Sequence, residues 1–172
     1  AGCEKIGCKT LGETNTNFKV SSIGIVDPRI KKSWIIDATP DFPYQIRILK
    51  NTHQSELSGI FLTHAHMGHY TGLLHLGREV MGAKNMPLFA MPKMKDFLEK
   101  NGPWNQLITL ENISITQLTK NQELRLGDRL FIEPFLVPHR DEYSETVGYR
   151  IMSENKSLIY IPDIDKWEKW DQ

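Results

Sequence analysis

Three histidines lie within six residues of one another, directly after an apolar segment. His64, His66 and His69 follow the apolar residues 59–62. If residues 59–63 form a buried strand, His64 and His66 leave its end on the same side, because they are two positions apart. His69 would then open the next helix. Neutral imidazole is the commonest protein ligand for zinc and also suits iron, so the cluster predicts a transition-metal site.

Two further blocks place candidate ligands at the ends of apolar runs. His139 follows residues 135–138, and Asp163 follows residues 157–162. With the loop THAHMGHYTGL at residues 63–73, these blocks resemble the metallo-β-lactamase superfamily, whose signature is H-x-H-x-D-H. Within that superfamily, the stretch from residue 35 to residue 142 is most similar to the branch that contains the pyrroloquinoline quinone biosynthesis protein B.

The resemblance implies a set of metal ligands: His64, His66, His69, His139 and Asp163. His64, His66 and His139 would hold one metal with an open position for water, and Asp163 would bridge to a second position that His69 completes. The implied function is hydrolysis of a small ester, amide or phosphodiester by a metal-bound hydroxide, with His69 and Asp163 as catalytic residues. Two alternatives stay open: a metal-dependent oxidoreductase like the quinone-biosynthesis relatives, and a metal-containing binding protein with little turnover.

Gly68 departs from the family pattern, since it stands where the signature has an aspartate. In the family this aspartate binds the second metal and helps to position the attacking water. We therefore expect one tightly bound zinc ion and a second metal position that binds zinc weakly or is empty. Iron and manganese are alternatives to zinc. The competing interpretation of Gly68 is a tight turn that needs a positive φ.

Other candidate residues have competing structural interpretations. Asp163 could serve only as a helix N-cap before residues 164–167, since aspartate is a favoured cap. Asp37 could accept a hydrogen bond from a ligating imidazole or could be a plain turn residue. His75 is expected to be packed or solvated rather than a ligand, because it lies about a third of a helical turn away from His69. The polar residues 141–146 could contact substrate or simply be solvated.

Composition and charge restrict the partners of this chain. Its 172 residues fit one domain, here residues 1–172, and its 40% hydrophobic and 24% charged residues are those of an ordinary globular protein. Lys plus Arg and Asp plus Glu number 21 each, so no basic surface for nucleic acid is expected. No apolar run approaches the roughly 18 residues of a membrane span. We expect a small-molecule substrate. The oligomeric state stays undetermined; a cytoplasmic location is favoured, with export as the alternative if a segment precedes Ala1.

The pattern of secondary structure predicts a mixed α/β (α+β) fold. The expected strands are 20–26, 33–37, 59–63, 87–91, 113–118, 123–126, 130–137, 147–152 and 157–161, and the expected helices are 42–50, 69–81 and 93–100. The resemblance implies the four-layer αβ/βα sandwich of the metallo-β-lactamases. Its terminal strands are not found, so we expect a chain that continues before Ala1 and beyond Gln172.

Cys3 and Cys8 could form a disulfide, contribute to a structural zinc site or remain free thiols.

Overall fold

The first of two β-sheets carries the segment that leads into the histidines. The structure is a computed structural model that describes residues 18–170; Cys3 and Cys8 lie outside this range. The five strands, in spatial order, are β1 (Ile23–Asp27), β2 (Lys32–Ile36), β3 (Glu56–Phe61), β4 (Met86–Ala90) and β5 (Ile113–Gln117). β1 and β2 form the expected antiparallel hairpin, and the strands from β2 to β5 are parallel. The carboxyl ends of these parallel strands therefore meet at one edge of the sheet.

The second sheet is antiparallel and faces the first. Its strands are β6 (Leu124–Gly127), β7 (Leu130–Leu136), β8 (Val147–Ser153) and β9 (Ser157–Tyr160), in that spatial order. β7 and β8 pair along their whole length, from Leu130 opposite Ser153 to Leu136 opposite Val147. Consequently the segment after β7, which contains His139, lies at the same end of the sheet as the start of β8.

Four α-helices and two 3-10 helices accompany the sheets in the described range. They are α1 (Phe42–His53), α2 (Met67–Tyr70), α3 (Pro92–Lys100), α4 (Trp104–Thr109) and the 3-10 helices Thr71–Leu76 and Trp167–Lys169. The prediction of one helix over 69–81 is wrong. The backbone N–H of Gly72 donates to the carbonyl oxygen of Ala38 at 2.8 Å, outside the helix, and Gly77 is extended (φ −60°, ψ 163°). The α-helix therefore ends at Tyr70 and a 3-10 helix replaces it.

Two hydrophobic clusters hold the layers together. One lies between the first sheet and its helices and includes Ile60, Leu73 and Leu98. The other lies between the two sheets and includes Phe61 and Tyr149. Neighbouring residues of β3 thus point into different clusters, as expected for a parallel strand that is buried on both faces.

The mixed α/β class and the two facing sheets predicted from the sequence are confirmed. Within residues 18–170, α-helices flank the first sheet, whereas the second sheet carries Trp170 stacked on Phe135. The part of the chain that the structure describes contains no helix long and apolar enough to cross a membrane.

Gly72 is the point of closest approach between the histidine segment and the loop after β2. A Cβ atom at this position would lie 2.1 Å from the carbonyl oxygen of Thr39 and 2.7 Å from that of Ala38. Only glycine fits this contact, because backbone atoms cannot yield in the way that the end of a flexible side chain can.

We expect Gly72→Ala to lower the free energy of unfolding by at least about 2 kcal/mol, because the added methyl forces apart two packed backbone segments. Urea denaturation followed by circular dichroism measures this change. The control is Gly68→Ala, whose Cβ would contact only the Val20 side chain, at 3.7 Å. Equal unfolding midpoints for the two variants would contradict the close approach at Gly72.

Candidate metal centre

The histidine loop is fixed by both sheets at the carboxyl end of β3. The N–H of Leu62 donates to the carbonyl oxygen of Phe89 at 3.0 Å, which continues the first sheet beyond β3. From the second sheet, the Tyr149 hydroxyl donates to the carbonyl oxygen of Leu62 at 2.6 Å, and the N–H of Val147 donates to that of Thr63 at 3.1 Å. Both sheets therefore hold in place the backbone that leads into His64.

Ring nitrogens of His64 and His66 converge at this point with a ring nitrogen of His139, which lies 73 residues after His66 in the chain. His64 Nε2 lies 2.9 Å from His66 Nδ1, and His139 Nε2 lies 3.2 Å from the same atom. The carboxylate oxygen Oδ2 of Asp163 lies 3.3 Å from His64 Nε2 and 3.8 Å from His139 Nε2. The same Oδ2 is 3.2 Å from His69 Nε2, so His69 joins the group from the side of Asp163.

The spacing of these atoms suits a single metal ion. Zinc–nitrogen bonds of about 2.0–2.1 Å in a tetrahedron place neighbouring ligand atoms about 3.3 Å apart. The separations between His64, His66, His139 and Asp163 scatter around this value, and all four candidate ligand atoms lie within 4.8 Å of one another. The donor set of three imidazoles and one carboxylate fits zinc and also iron.

The hydrogen bonds of His64 determine which of its nitrogens carries the proton. Thr63 Oγ1 lies 3.0 Å and 2.9 Å from the two carboxylate oxygens of Asp37, to which it donates its single hydrogen. It must therefore accept at 3.0 Å from Nδ1–H of His64. The Nε2 atom of His64 consequently presents a lone pair to the centre.

The other three rings are oriented by carboxylates in the same way. His66 donates through Nε2 to Glu142 at 2.8 Å, and His139 donates through Nδ1 to Asp165 at 3.0 Å. His69 donates through Nδ1 to Asp37 at 2.7 Å. Each ring thus has an oxygen partner on one nitrogen and turns the lone pair of the other inward, an arrangement typical of metal-ligating histidines.

Electrostatics favour neutral His64 and act in the opposite direction on His69. Burial, followed by the neighbouring rings His69, His66 and His139, lowers the pKa of His64 to about 2, so this ring keeps its lone pair at neutral pH. Burial also acts to lower the pKa of His69, but its hydrogen bond to Asp37 and the charges of Asp37 and Asp163 outweigh burial and raise it. Asp37 itself is fully buried.

The polar loop 141–146 is hydrogen-bonded to the histidine segment. Ser144, which is buried, accepts a hydrogen bond through Oγ from the N–H of Ala65 at 2.8 Å. The Glu145 carboxylate accepts from the N–H of Lys93 at 3.0 Å, at the start of α3. Thr146 donates through Oγ1 to Asp141 at 2.8 Å. The second half of the loop, residues 144–146, therefore has structural hydrogen bonds, whereas residues 141–143 are exposed to solvent.

The competing interpretations of Asp163 and Gly68 are both wrong. Asp163 caps no helix, because the 3-10 helix after it begins at Trp167 with Lys166 at its N-cap. Gly68 lies within α2, and the one glycine with positive φ in residues 18–170 is Gly82. His75 does not join the cluster that contains His64.

Three residues that orient the rings were missed from the sequence: Thr63, Glu142 and Asp165. Each lies within three residues of a candidate ligand in the chain. A search for oxygen-bearing side chains within three residues of every candidate ligand would have found them, although it would also have selected Asp141.

Comparison with known proteins agrees with this geometry. The family described as "Beta-lactamase superfamily domain" matches residues 33–172, so the chain belongs to this superfamily. A comparison with curated protein sequences finds no match.

Solved structures share the fold. Zinc-bound PqqB from Methylobacterium extorquens is 20% identical with a TM-score of 0.76, over 97% of this chain and 62% of that protein. The metallo-β-lactamase fold protein YhfI from Bacillus subtilis is 13% identical with a TM-score of 0.63, over 90% of this chain and 58% of YhfI. A diphosphatase of the PhnP family is 25% identical with a TM-score of 0.50, over 70% of this chain and 45% of the diphosphatase. The chain thus spans about 60% of the length of the first two, and the expected likeness to PqqB is confirmed at the level of the fold.

We expect Asp37→Asn to lower the free energy of unfolding by about 2 kcal/mol and to weaken zinc binding. The amide NH₂ or oxygen can replace only part of the hydrogen bonding, because Thr63 and His69 both donate to the carboxylate. Urea denaturation and competition with a zinc-chelating dye measure the two effects.

The control for Asp37→Asn is Asp27→Asn, which removes another buried carboxylate at the end of β1, where Asp27 accepts from the backbone and guanidinium of Arg29. This variant should lose about 1 kcal/mol of stability and keep its zinc affinity. Unchanged zinc affinity in Asp37→Asn would contradict the role of Asp37 in orienting His69 and Thr63.

We expect Glu142→Ala and Asp165→Ala each to weaken zinc binding by about 10- to 100-fold, because His66 and His139 lose the acceptors that orient them. Glu142→Gln should retain more affinity than Glu142→Ala, since the amide oxygen can still accept from His66. Asp128→Ala, at an exposed carboxylate that pairs with Arg125, is the control. The interpretation fails if all these variants bind zinc as tightly as the original chain.

Proposed function

We propose that this chain is a metal-dependent hydrolase that acts on a small ester, amide or phosphodiester. Its metal would be held by His64, His66 and His139 through the atoms Nε2, Nδ1 and Nε2, with Asp163 beside them. The observation that carries the proposal is the convergence of these atoms at 2.9–3.8 Å, with the lone pairs of the three rings turned inward by partners on their opposite nitrogens. A bound cation would relieve the repulsion among these lone pairs.

A bound divalent ion supplies a water acidic enough to ionise near neutral pH and polarises the bond under attack, so no serine or cysteine nucleophile is needed. His69 can accept a proton at Nε2, which lies 3.2 Å from Asp163 Oδ2. The buried Asp37 carboxylate, bonded to Nδ1 of the same ring, would stabilise the imidazolium that results. We assign His69 and Asp163 as the catalytic residues on this basis.

Comparisons support hydrolysis and zinc as the first candidates to test. The diphosphatase that is 25% identical over 70% of this chain is a hydrolase, and the PqqB structure contains zinc. The set of three imidazoles and a carboxylate also suits iron or manganese, so metal analysis of protein purified without added metal precedes the assays.

We expect the zinc-loaded protein to hydrolyse at least one compound in a panel of p-nitrophenyl acetate, bis-p-nitrophenyl phosphate and nitrocefin. His139→Ala should lose zinc from the centre and lower turnover by at least about 100-fold, because metal catalysis contributes several kcal/mol to the barrier. The control is His53→Ala, at an exposed histidine at the end of α1. Oxygen consumption by an iron-loaded sample, without hydrolysis, would replace this proposal with oxidative chemistry. Binding of metal without any turnover would favour a binding protein.

We expect one tightly bound metal ion per chain and a second ion only at high metal concentration, because Gly68 offers no carboxylate. Gly68→Asp should raise the affinity of the second position by at least about tenfold, since an added anionic ligand strengthens a divalent site. Space exists for this side chain: the nearest atom to a Cβ at Gly68 is in Val20, at 3.7 Å. Gly68→Ala, which adds the Cβ without the carboxylate, is the control. Isothermal titration calorimetry measures the affinity of each metal position. Two ions that bind the original chain with equal affinity would contradict this prediction.

A further inference from the structure

A cavity of about 610 Å³ opens on the helical side of the first sheet, away from the candidate metal centre. It lies between α1, the 3-10 helix Thr71–Leu76 and the first residues of β3 and β4, represented by Leu57 and Met86. The histidine loop follows the opposite, carboxyl end of β3. The cavity is therefore a separate feature, and its volume is within the range of about 300–1,000 Å³ that small-molecule sites occupy.

The walls of this cavity are mostly apolar. Ile46, Leu57 and Met86 are half-buried along its sides. At its rim, Val80 is 63% exposed and Met81 is 44% exposed. Neighbouring apolar side chains left in water at the mouth of a cavity are typical of a surface that a ligand covers, and methionine adapts to ligands of different shape.

The polar groups around the mouth are predominantly basic. Arg47 and Lys50 lie three residues apart on one face of α1, and His75 contributes from the 3-10 helix. Among the described residues that line the cavity, none carries a carboxylate. Within residues 18–170, Arg47, Lys50 and His75 also form no ion pair with any acidic side chain. The charges of Arg47 and Lys50 are thus available to an anion.

We propose that this cavity binds a free amphipathic carboxylate, with the carboxylate between Arg47 and Lys50 and an unbranched apolar chain along Leu57, Met81 and Met86. Charge complementarity selects the head group, and the apolar walls select the tail. This binding is independent of the hydrolytic function proposed for the metal centre.

The test is isothermal titration calorimetry of the chain with decanoate below its micelle concentration, beside octanoate and 1-decanol. Decanoate should bind once per chain and about 15-fold more tightly than octanoate, since each of its two additional buried methylenes adds about fourfold. The alcohol should bind more weakly than decanoate because it lacks the charge.

Two variants separately test how the cavity recognises the carboxylate and the apolar chain of decanoate. Arg47→Gln combined with Lys50→Gln should weaken decanoate binding about fivefold and leave decanol binding within twofold, as expected for two exposed ion pairs. Met81→Glu places an anion at the exposed rim and should weaken decanoate more than decanol. The control, Lys120→Gln with Arg125→Gln, removes two exposed charges away from the cavity and should change neither affinity. The circular dichroism spectrum and the urea unfolding midpoint of every variant show whether it is folded.

Three results would overturn the proposal. The first is no saturable binding of decanoate by the folded chain. The second is a decanoate affinity that is unchanged both in the double variant, Arg47→Gln with Lys50→Gln, and in the Met81→Glu variant, because the ligand would then bind elsewhere. The third is a dimer in sedimentation that Met81→Glu dissociates without any decanoate binding, because the surface would then join two copies of the chain.

Discussion

The buried carboxylate of Asp37 is the interaction on which the rest of the centre depends. It accepts hydrogen bonds from the N–H and hydroxyl of Thr63 and from Nδ1–H of His69, at 2.7–3.0 Å. These bonds join the end of β2 to the end of β3 and to α2. Asp37 has a φ of 69°, in the left-handed region that aspartate adopts more readily than most residues. A buried charge without these partners would cost several kcal/mol, so the three segments must assemble together.

The same hydrogen bonds link folding to chemistry. The Thr63 hydroxyl donates to Asp37 and accepts from Nδ1–H of His64. The second sheet holds the same backbone segment through hydrogen bonds from Tyr149 and Val147. His66 and His139 take their orienting carboxylates, Glu142 and Asp165, from loops of the second half of the chain. The centre therefore forms only when both sheets are in place, which explains why its ligands come from segments far apart in the sequence.

Most of the strands and the cluster of candidate ligands were predictable, because each depends on local pattern. Apolar runs that end in His64, His139 or Asp163 mark strand ends. His64 follows a parallel strand of the first sheet, whereas His139 and Asp163 follow β7 and β9, which run in the same direction on either side of β8 and so end on the same side of the second sheet. The helix expected over 69–81 was wrong because a tertiary contact, the N–H of Gly72 to Ala38, overrides helical spacing. The ring-orienting roles of Glu142 and Asp165 depend on loop packing, which leaves no periodic signal in the sequence.

In this centre, oxygen acceptors set the tautomer of each histidine before any metal binds. Long-range ¹H–¹⁵N NMR of the metal-free protein measures these tautomers directly. The structure requires the proton on Nδ1 in His64, His69 and His139 and on Nε2 in His66. Observation of this pattern, with one ring opposite to the other three, would confirm the preorganised centre. Four rings that all carry the proton on Nε2, or that exchange between tautomers, would contradict it.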